Sequence, residues 1–214
     1  MKTVEALRKS HIVMGMNLDA PGLENAFVRL SPFEERHGPI LAASSAIKHM
    51  WESMPDIPKG TNFNAYLDHT LKQKEAGLLV PFAISRCSDD AFAGVVAFEN
   101  VSRTHRRVRI AHYWHPKEMR STGVFQASQA LLIERAVEWG ARRIGWMVSA
   151  RNRSALAAVE SLGPREEGRI RSFTRLADGT FSDMVVFSFL RDEAKAALPL
   201  INDRWKALHA AALA

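Results

Sequence analysis

The sequence predicts an α/β (α+β) fold, a mixed, mostly antiparallel sheet flanked by helices, and three observations carry that expectation. Three strand-like runs follow one another between Leu79 and Trp114, separated only by short turns. Helical spacing over Val124–Trp139 then lies between the third run and another at Ile144–Ser149, which implies a parallel crossover. Finally, Asp178-Gly179 joins two long strand-like runs, a strong hairpin signal. At 214 residues and 47% hydrophobic content the chain can build one core, and no Ser/Gly/Pro tract or charge block marks a linker. One domain over 1–214 is expected, with 1–22 as an N-terminal extension and 194–214 as a C-terminal helix.

Taken in order, Met1 to Arg8 has the pattern of a short amphipathic helix, and Phe27–Leu30 reads as a strand. Ser31-Pro32 has the form of a helix entry, with Ser as cap and Pro in the first turn. Gly38-Pro39 breaks that helix, and a second helical segment runs from Pro39 to about Trp51. After the MPDIPKG loop, Thr61 or Asn62 can cap a helix whose Phe63, Tyr66, Leu67, Thr70 and Leu71 share one face before Gly77. Strands are expected at Leu79–Arg86, Phe92–Glu99 and Arg106–Trp114, the last closed by His115-Pro116 because proline donates nothing to a ladder. The helix over 124–139 stops at Gly140, and a short helix at Ser154–Leu162 stops at Gly163. The hairpin pairs Arg165–Leu176 with Phe181–Leu190. Leu198, Ile201, Trp205 and Leu208 form an apolar stripe on a terminal helix that Pro199 can begin, suited to core packing or to a homodimer seam.

The formal charge of +6 comes mostly from arginine, clustered at Arg103/Arg106/Arg107/Arg109, Arg142/Arg143, Arg151/Arg153 and Arg165/Arg169/Arg171/Arg175. Such a surface suits an anionic ligand or an acidic partner, while the lack of interleaved aromatic and basic residues argues against nucleic acid. The lone Cys87 excludes an internal disulfide and a cysteine-cluster metal site, and the histidines lack ligand spacing, so no metal is expected. The N-terminus has no signal-peptide pattern, and no apolar run approaches about 18 residues. A cytoplasmic protein without a membrane span is the expectation.

The order of elements resembles the acetyl-CoA-dependent N-acetyltransferase superfamily (GNAT). RIAHYWHPKEMRSTGVFQASQALLIERAVEWGARRIGWMVSARNRSALAAVESLGPREEGRIRSF and ADGTFSDMVVFSFLRDE look like the Rim-like branch, which acetylates ribosomal-protein N-termini and other amines. The likeness covers about Leu23 to Glu193, and RNRSALAAVESLG and ADGTFSDMVVFS are its most specific parts.

That resemblance implies two strands, Val108–Trp114 and Ile144–Ser149, that splay past a bulge and leave edge N–H and C=O groups for the two amides of a pantetheine arm. Trp114 belongs to this cofactor-binding strand. The pyrophosphate is expected at the start of the next helix, where free N–H groups and the helix dipole favour an anion. By resemblance, Arg120, Ser121, Thr122, Gly123, Val124 and Phe125 form the phosphate loop: Arg120 adds charge, Thr122 caps or donates a hydroxyl, and Gly123 admits close backbone approach. Many relatives carry a further glycine and a small polar triplet where this chain has Phe125-Gln126-Ala127. Asn152 stands where the family asparagine holds the pantetheine arm. Relatives place a serine three residues later, near the sulfur; here that position is Ala155, and Ser154 is one residue early.

Acetyl transfer to an amine needs a base, an oxyanion donor and a proton for the leaving thiolate. A backbone N–H of Val108–Trp114 can serve as oxyanion donor, Ser154 is the candidate acid, and Glu99 and His112 are the candidate bases. Glu99 is equally a partner for Arg107 or Arg109, and His112 equally a core histidine. Relatives often carry a glutamate where Arg109 stands, and the reversed charge favours an acid-bearing acceptor. Trp51, Met54, Phe63, Tyr66 and Phe173 are candidate walls of the acceptor pocket, with Arg171 and Arg175 placed to meet a carboxylate or phosphate. The expected activity is acetyl transfer from acetyl-CoA to a primary amine of a protein N-terminus or small molecule, in a monomer or homodimer. The alternative is a catalytically weak acyl-CoA-binding or basic ribosome- or RNA-binding module on the same fold.

Overall fold

Val95 and Val96 are neighbours in one strand and both are buried, so both faces of the sheet they belong to are covered. The computed structural model describes residues 18, 22–44, 63–176 and 178–213. Its strands are β1 (Leu23–Glu24), β2 (Val28–Pro32), β3 (Leu79–Arg86), β4 (Phe92–Ser102), β5 (Arg107–Trp114), β6 (Arg143–Ser149), β7 (Arg165–Arg175) and β8 (Phe181–Leu190). They form one sheet in the order β1-β2-β3-β4-β5-β6-β8-β7. Every neighbouring pair is antiparallel except β5 and β6. The helices are α1 (Gly38–Ser44), α2 (Phe63–Glu75), α3 (Val124–Trp139), α4 (Arg153–Glu160) and α5 (Arg191–Leu213).

The larger core includes Phe82, Val96, Phe98 and Ile110 from the strands, Leu132 from α3, and Ile201 and Trp205 from α5. Fully buried Trp146 belongs to it and donates its Nε1–H to Gln129 on α3 at 3.0 Å. Truncating a side chain of that kind to alanine costs about 3–5 kcal/mol. The opposite face holds a second cluster, Phe33, Leu41, Tyr66, Ala83, Val95 and Trp114, closed by α1 and α2.

Three expectations are corrected. Ser31 and Pro32 belong to strand β2 and not to a helix entry, with Pro32 opposite Phe82. Proline is tolerated there because β1 pairs only Arg29 and Leu30, so among the described residues no strand takes the other edge of β2 at Pro32. Helical structure starts later, with a single 3-10 turn at Glu35–His37 whose Glu34 and His37 make reciprocal capping contacts, and α1 then opens at Gly38-Pro39. The terminal helix begins at Arg191, where Glu193 accepts the Leu190 N–H at 2.7 Å, so Pro199 lies in its interior. One lost backbone bond there is outweighed by Ala194, Ile201 and Trp205, all buried on the core side. The 1–8 helix, the continuation of α1 past residue 44, and the Thr61 and Asn62 caps lie outside the described residues.

Beyond these points, and apart from β1 and a 3-10 turn at Lys117–Met119, which the sequence reading did not contain, the elements fall within a few residues of it. Cys87 follows β3 as a filler: its thiol is half-buried, burial pushes its pKa up, and it lies 3.5 Å from the Asn25 carbonyl oxygen.

Candidate active site

β5 and β6 start as parallel neighbours and then part. Their pairing runs from Arg107 opposite Arg143 to Arg109 opposite Gly145 and stops, although β5 continues to Trp114 and β6 to Ser149. From there β5 stays paired with β4 and β6 with β8, so the facing edges carry backbone groups that pair with no strand. A bulge steers the separation. Val95 faces Trp114 while Ala97 faces Ala111, which inserts an extra residue in β5, and His112 adopts a left-handed φ of +53°. Gly94 makes room for it, since a Cβ at that position would come within 2.1 Å of the Trp114 carbonyl oxygen.

A cavity of about 740 Å³ opens over this parting, a size ordinary for cofactor and substrate sites. Ala111, Tyr113 and Trp114 line it from β5, Met147 and Ser149 from β6, Phe125 and Gln126 from α3, Asn152 and Ala155 from the cap and first turn of α4, and Tyr66 and His69 from α2.

The amino end of α3 is left open. Gly123, at φ +93°, holds the cap position with no side-chain cap, and the first helical bond runs from the Ala127 N–H to its carbonyl. The N–H groups of Val124, Phe125 and Gln126 therefore have no helical acceptor. Thr122 does not supply one, contrary to expectation: its hydroxyl turns back to donate to the Met119 carbonyl at 2.7 Å. Arg120 is exposed, with Nε 3.3 Å from the His115 carbonyl, and lines the cavity with Ser121. Val124 sends its side chain wholly into the core. Gly123 serves a purpose unforeseen in the sequence: its absent Cβ would lie 2.7 Å from the Trp205 carbonyl, so α5 seats against this turn. Phe125 packs edge-on to Tyr113 and His115, at centroid distances of 5.5 and 6.0 Å.

The amino end of α4 is closed. Asn152 Oδ1 accepts the Ala155 N–H at 3.0 Å and the Ser154 hydroxyl at 3.0 Å. Asn152, not Ser154, is the cap, and the Ser154 proton is committed to it.

On the α2 side of the sheet, Glu99 and Arg109 face each other across β4 and β5, with Glu99 Oε1 2.5 Å from Arg109 Nε and Oε2 3.5 Å from His112 Nε2. Burial pushes the Glu99 pKa up, but the hydrogen bond to His112 and the Arg109 charge outweigh it and hold the carboxyl below its ordinary value. Arg109 also places Nη1 2.5 Å from Met147 Sδ. Behind the bulge, His115 Nδ1 is 2.8 Å from the Ala93 carbonyl, which requires its proton there and leaves a buried Nε2 with no partner among the described residues. Burial lowers the pKa of this ring to about 4. Burial likewise raises the Tyr66 hydroxyl to about 12. Trp114 Nε1 is a buried donor in the wall that has no partner among the described residues.

The structure thus brings Glu99, His112, Trp114, Arg120, Ser121, Phe125, Asn152, Ser154, Tyr66 and Phe173 to one cavity. Arg171 and Arg175 do not line it, because they project from the exposed edge strand β7. Trp51, Met54 and the Phe63 side chain lie outside the described residues. Sequence reasoning missed His69 and Gln73, which follow Tyr66 at helical spacing, and Met147 and Ser149, which alternate along β6. Among the described residues, no group of three or more His, Cys, Asp or Glu could hold a metal ion, and no helix is long and apolar enough to cross a membrane.

No protein-family model matches the chain, and no curated protein matches it. Solved structures do. A candidate acetyltransferase from T. thermophilus is similar with TM-score 0.77 and 24% identity, over 86% of this chain and 97% of that one. RimJ of Mycobacterium smegmatis, in complex with CoA-disulfide, gives 0.68 and 21% over 82% and 89%. Spermidine N-acetyltransferase of Vibrio cholerae, in complex with CoA and spermine, gives 0.67 and 14% over 80% and 99%. The mixed sheet parted between β5 and β6, with an open helix end at the parting, is the architecture of the GNAT acetyltransferase fold.

Proposed function

We propose that the protein is an acetyl-CoA-dependent N-acetyltransferase of Rim-like type that transfers acetyl directly to a primary amine, on a protein N-terminus or a small molecule. The observation that carries this reading is the uncapped end of α3 opening onto the unpaired edges of β5 and β6. Free N–H groups of Val124, Phe125 and Gln126, with Arg120 beside them, suit a pyrophosphate. The parted edges suit the two amides of a pantetheine arm, and Asn152 stands at its far end. When bound, acetyl-CoA supplies a thioester activated toward amines.

The chain's own groups then divide the work. A backbone N–H at the β5 bulge is placed to stabilise an oxyanion. His112 is the preferred base, since Glu99, ion-paired with Arg109 and held below its ordinary pKa, is the poorer proton acceptor and instead orients the ring. In the transfer, the amine nitrogen bonds to the acetyl carbon, the C–S bond breaks, and the amine proton passes through His112 and water to the thiolate. Ser154 is a weak candidate for that last step because its proton is held by Asn152, and Ala155 has none to give.

That same pair of observations favours a second reading, a module that holds acyl-CoA and turns it over slowly or not at all. Calorimetric titration with acetyl-CoA, coupled to thiol release against amines and N-terminal peptides, separates the two. Micromolar binding with release supports the transferase, binding without release the module, and no binding overturns both. Arg120→Glu is expected to weaken CoA binding about tenfold or more with little change in thermal stability, as its side chain is exposed and, among the described residues, hydrogen-bonds one carbonyl; unchanged affinity would remove Arg120 from the phosphate site.

A further inference from the structure

Among the described residues, Glu99 is the only carboxylate that lines the cavity. An acceptor carrying several ammonium groups needs carboxylates free to meet them, and Glu99 is not free. One of its oxygens is taken by Arg109 Nε and the other faces His112 Nε2. Removing a charge from that half-buried pair would leave its partner uncompensated, so a cationic ligand cannot claim Glu99 without displacing Arg109.

Arg109, by contrast, has donors to spare. A guanidinium carries five N–H groups in a rigid fork. Its Nε serves Glu99, its Nη1 meets only the thioether sulfur of Met147, a weak acceptor, and its Nη2 has no acceptor among the described residues. The side chain forms part of the cavity wall and is 27% exposed, so those N–H groups are within reach of a ligand. Met147 and Glu99 brace the fork from two strands, which fixes its direction.

We propose that Arg109 sets the acceptor class: it withholds Glu99 from cations and offers its remaining N–H groups to an oxygen of the acceptor. The acceptor is accordingly an amine whose neighbouring carbon bears a carbonyl or carboxylate, the chemistry of a peptide amino terminus or a free α-amino acid, and not a polyamine. Arg109 stands three residues before His112 on β5, and the two side chains meet the two oxygens of one Glu99 carboxylate, so they can address neighbouring groups of one acceptor. This inference rests on the acetyl-transfer reading.

The test measures kcat/KM by thiol release from acetyl-CoA with the full chain and four acceptors: a short peptide with a free amino terminus, a free amino acid, the matching decarboxylated amine, and spermidine. Wild type is expected to favour an oxygen-bearing acceptor over the decarboxylated amine and spermidine by about tenfold or more. Arg109→Met is expected to erase that preference from both sides, losing rate on the favoured acceptor and gaining on spermidine as Glu99 is released. Arg109→Lys keeps a cation beside Glu99 but removes the fork, so spermidine stays excluded while the favoured acceptor loses about tenfold. If Arg109→Met fails to fold, as judged by its melting transition, the lysine variant decides. An unchanged preference in a folded variant, or wild-type preference for spermidine, overturns the assignment of Arg109 while leaving acetyl transfer standing. Absence of thiol release from wild type with every amine overturns the transfer reading and this one with it. Activity on the peptide alone identifies the source as a peptide terminus, and activity on the amino acid alone as a free metabolite.

Discussion

Two helices begin at the same cavity and end their first turns in opposite ways. α3 starts from a left-handed glycine with no side chain across its N–H groups, and α4 starts from Asn152, whose oxygen takes the Ala155 N–H. Both sequences look like helix starts, and both contain small polar residues before the first apolar one. What separates them is where the polar oxygens go: Thr122 turns away to Met119, while Asn152 turns inward. An amino end that satisfies itself is a structural joint, and one that does not is available to an anion.

The strongest way to break this contrast is Gly123→Ala. A Cβ there meets the Trp205 carbonyl at 2.7 Å and forces a side chain onto φ +93°, so the expected loss is about 2–4 kcal/mol in denaturant unfolding, with CoA binding lost in parallel as the α3 turn and α5 separate. An equal loss at Asn152, or none at Gly123, would dissolve the distinction.

Acid comes next. Only the α3 end leans on a titratable ring, His115, which packs against Phe125 and has its pKa lowered by burial from 6.5 to about 4. As the folded value lies below the unfolded one, the unfolded chain binds the proton first. The stability this ring contributes is complete above pH 6.5 and is lost as the pH falls from 6.5 toward 4, with a slope of about 1.4 kcal/mol per pH unit where it is steepest. His115→Gln is expected to flatten that part of the stability profile relative to wild type; a superimposable profile would show that burial does not keep the ring neutral.

The smallest effect is expected at the closed end. Asn152→Ala removes a cap, for about 1 kcal/mol of stability, and frees the Ser154 hydroxyl. If Ser154 then takes on the acid role, turnover of the variant rises relative to its CoA affinity; if it falls or holds, Asn152 matters for position alone.

Much of the scaffold was legible because local patterns and tertiary structure agree. The meander from Leu79 to Trp114, the α3 stripe and the Asp178-Gly179 hairpin each state one period or one turn. The misreadings arose where a distant element decides. Ser31-Pro32 carries a helix-start signal, but β3 recruits it into the sheet along the edge of β2 opposite β1. Pro199 should start a helix, but burial of Ala194 on the core keeps the preceding turns helical. In the site, the strand positions of Glu99, Arg109 and His112 were readable from period two, whereas the bulge that brings all three together depends on Gly94 in a neighbouring strand. Similarly, no local signal says that Gly123 answers to Trp205.

The short parallel seam has a mechanical side. Three residue pairs join β5 to β6, so β1–β5 and β6–β8 behave as two plates meeting at a narrow strip. A plate joined over so small a length has few backbone bonds to resist shear, and α3, which connects β5 to β6 in the chain, is tied to the second plate by the bond from Trp146 to Gln129. Anything lodged in the gap would act as a wedge and a weld at once, stiffening the whole sheet across its width.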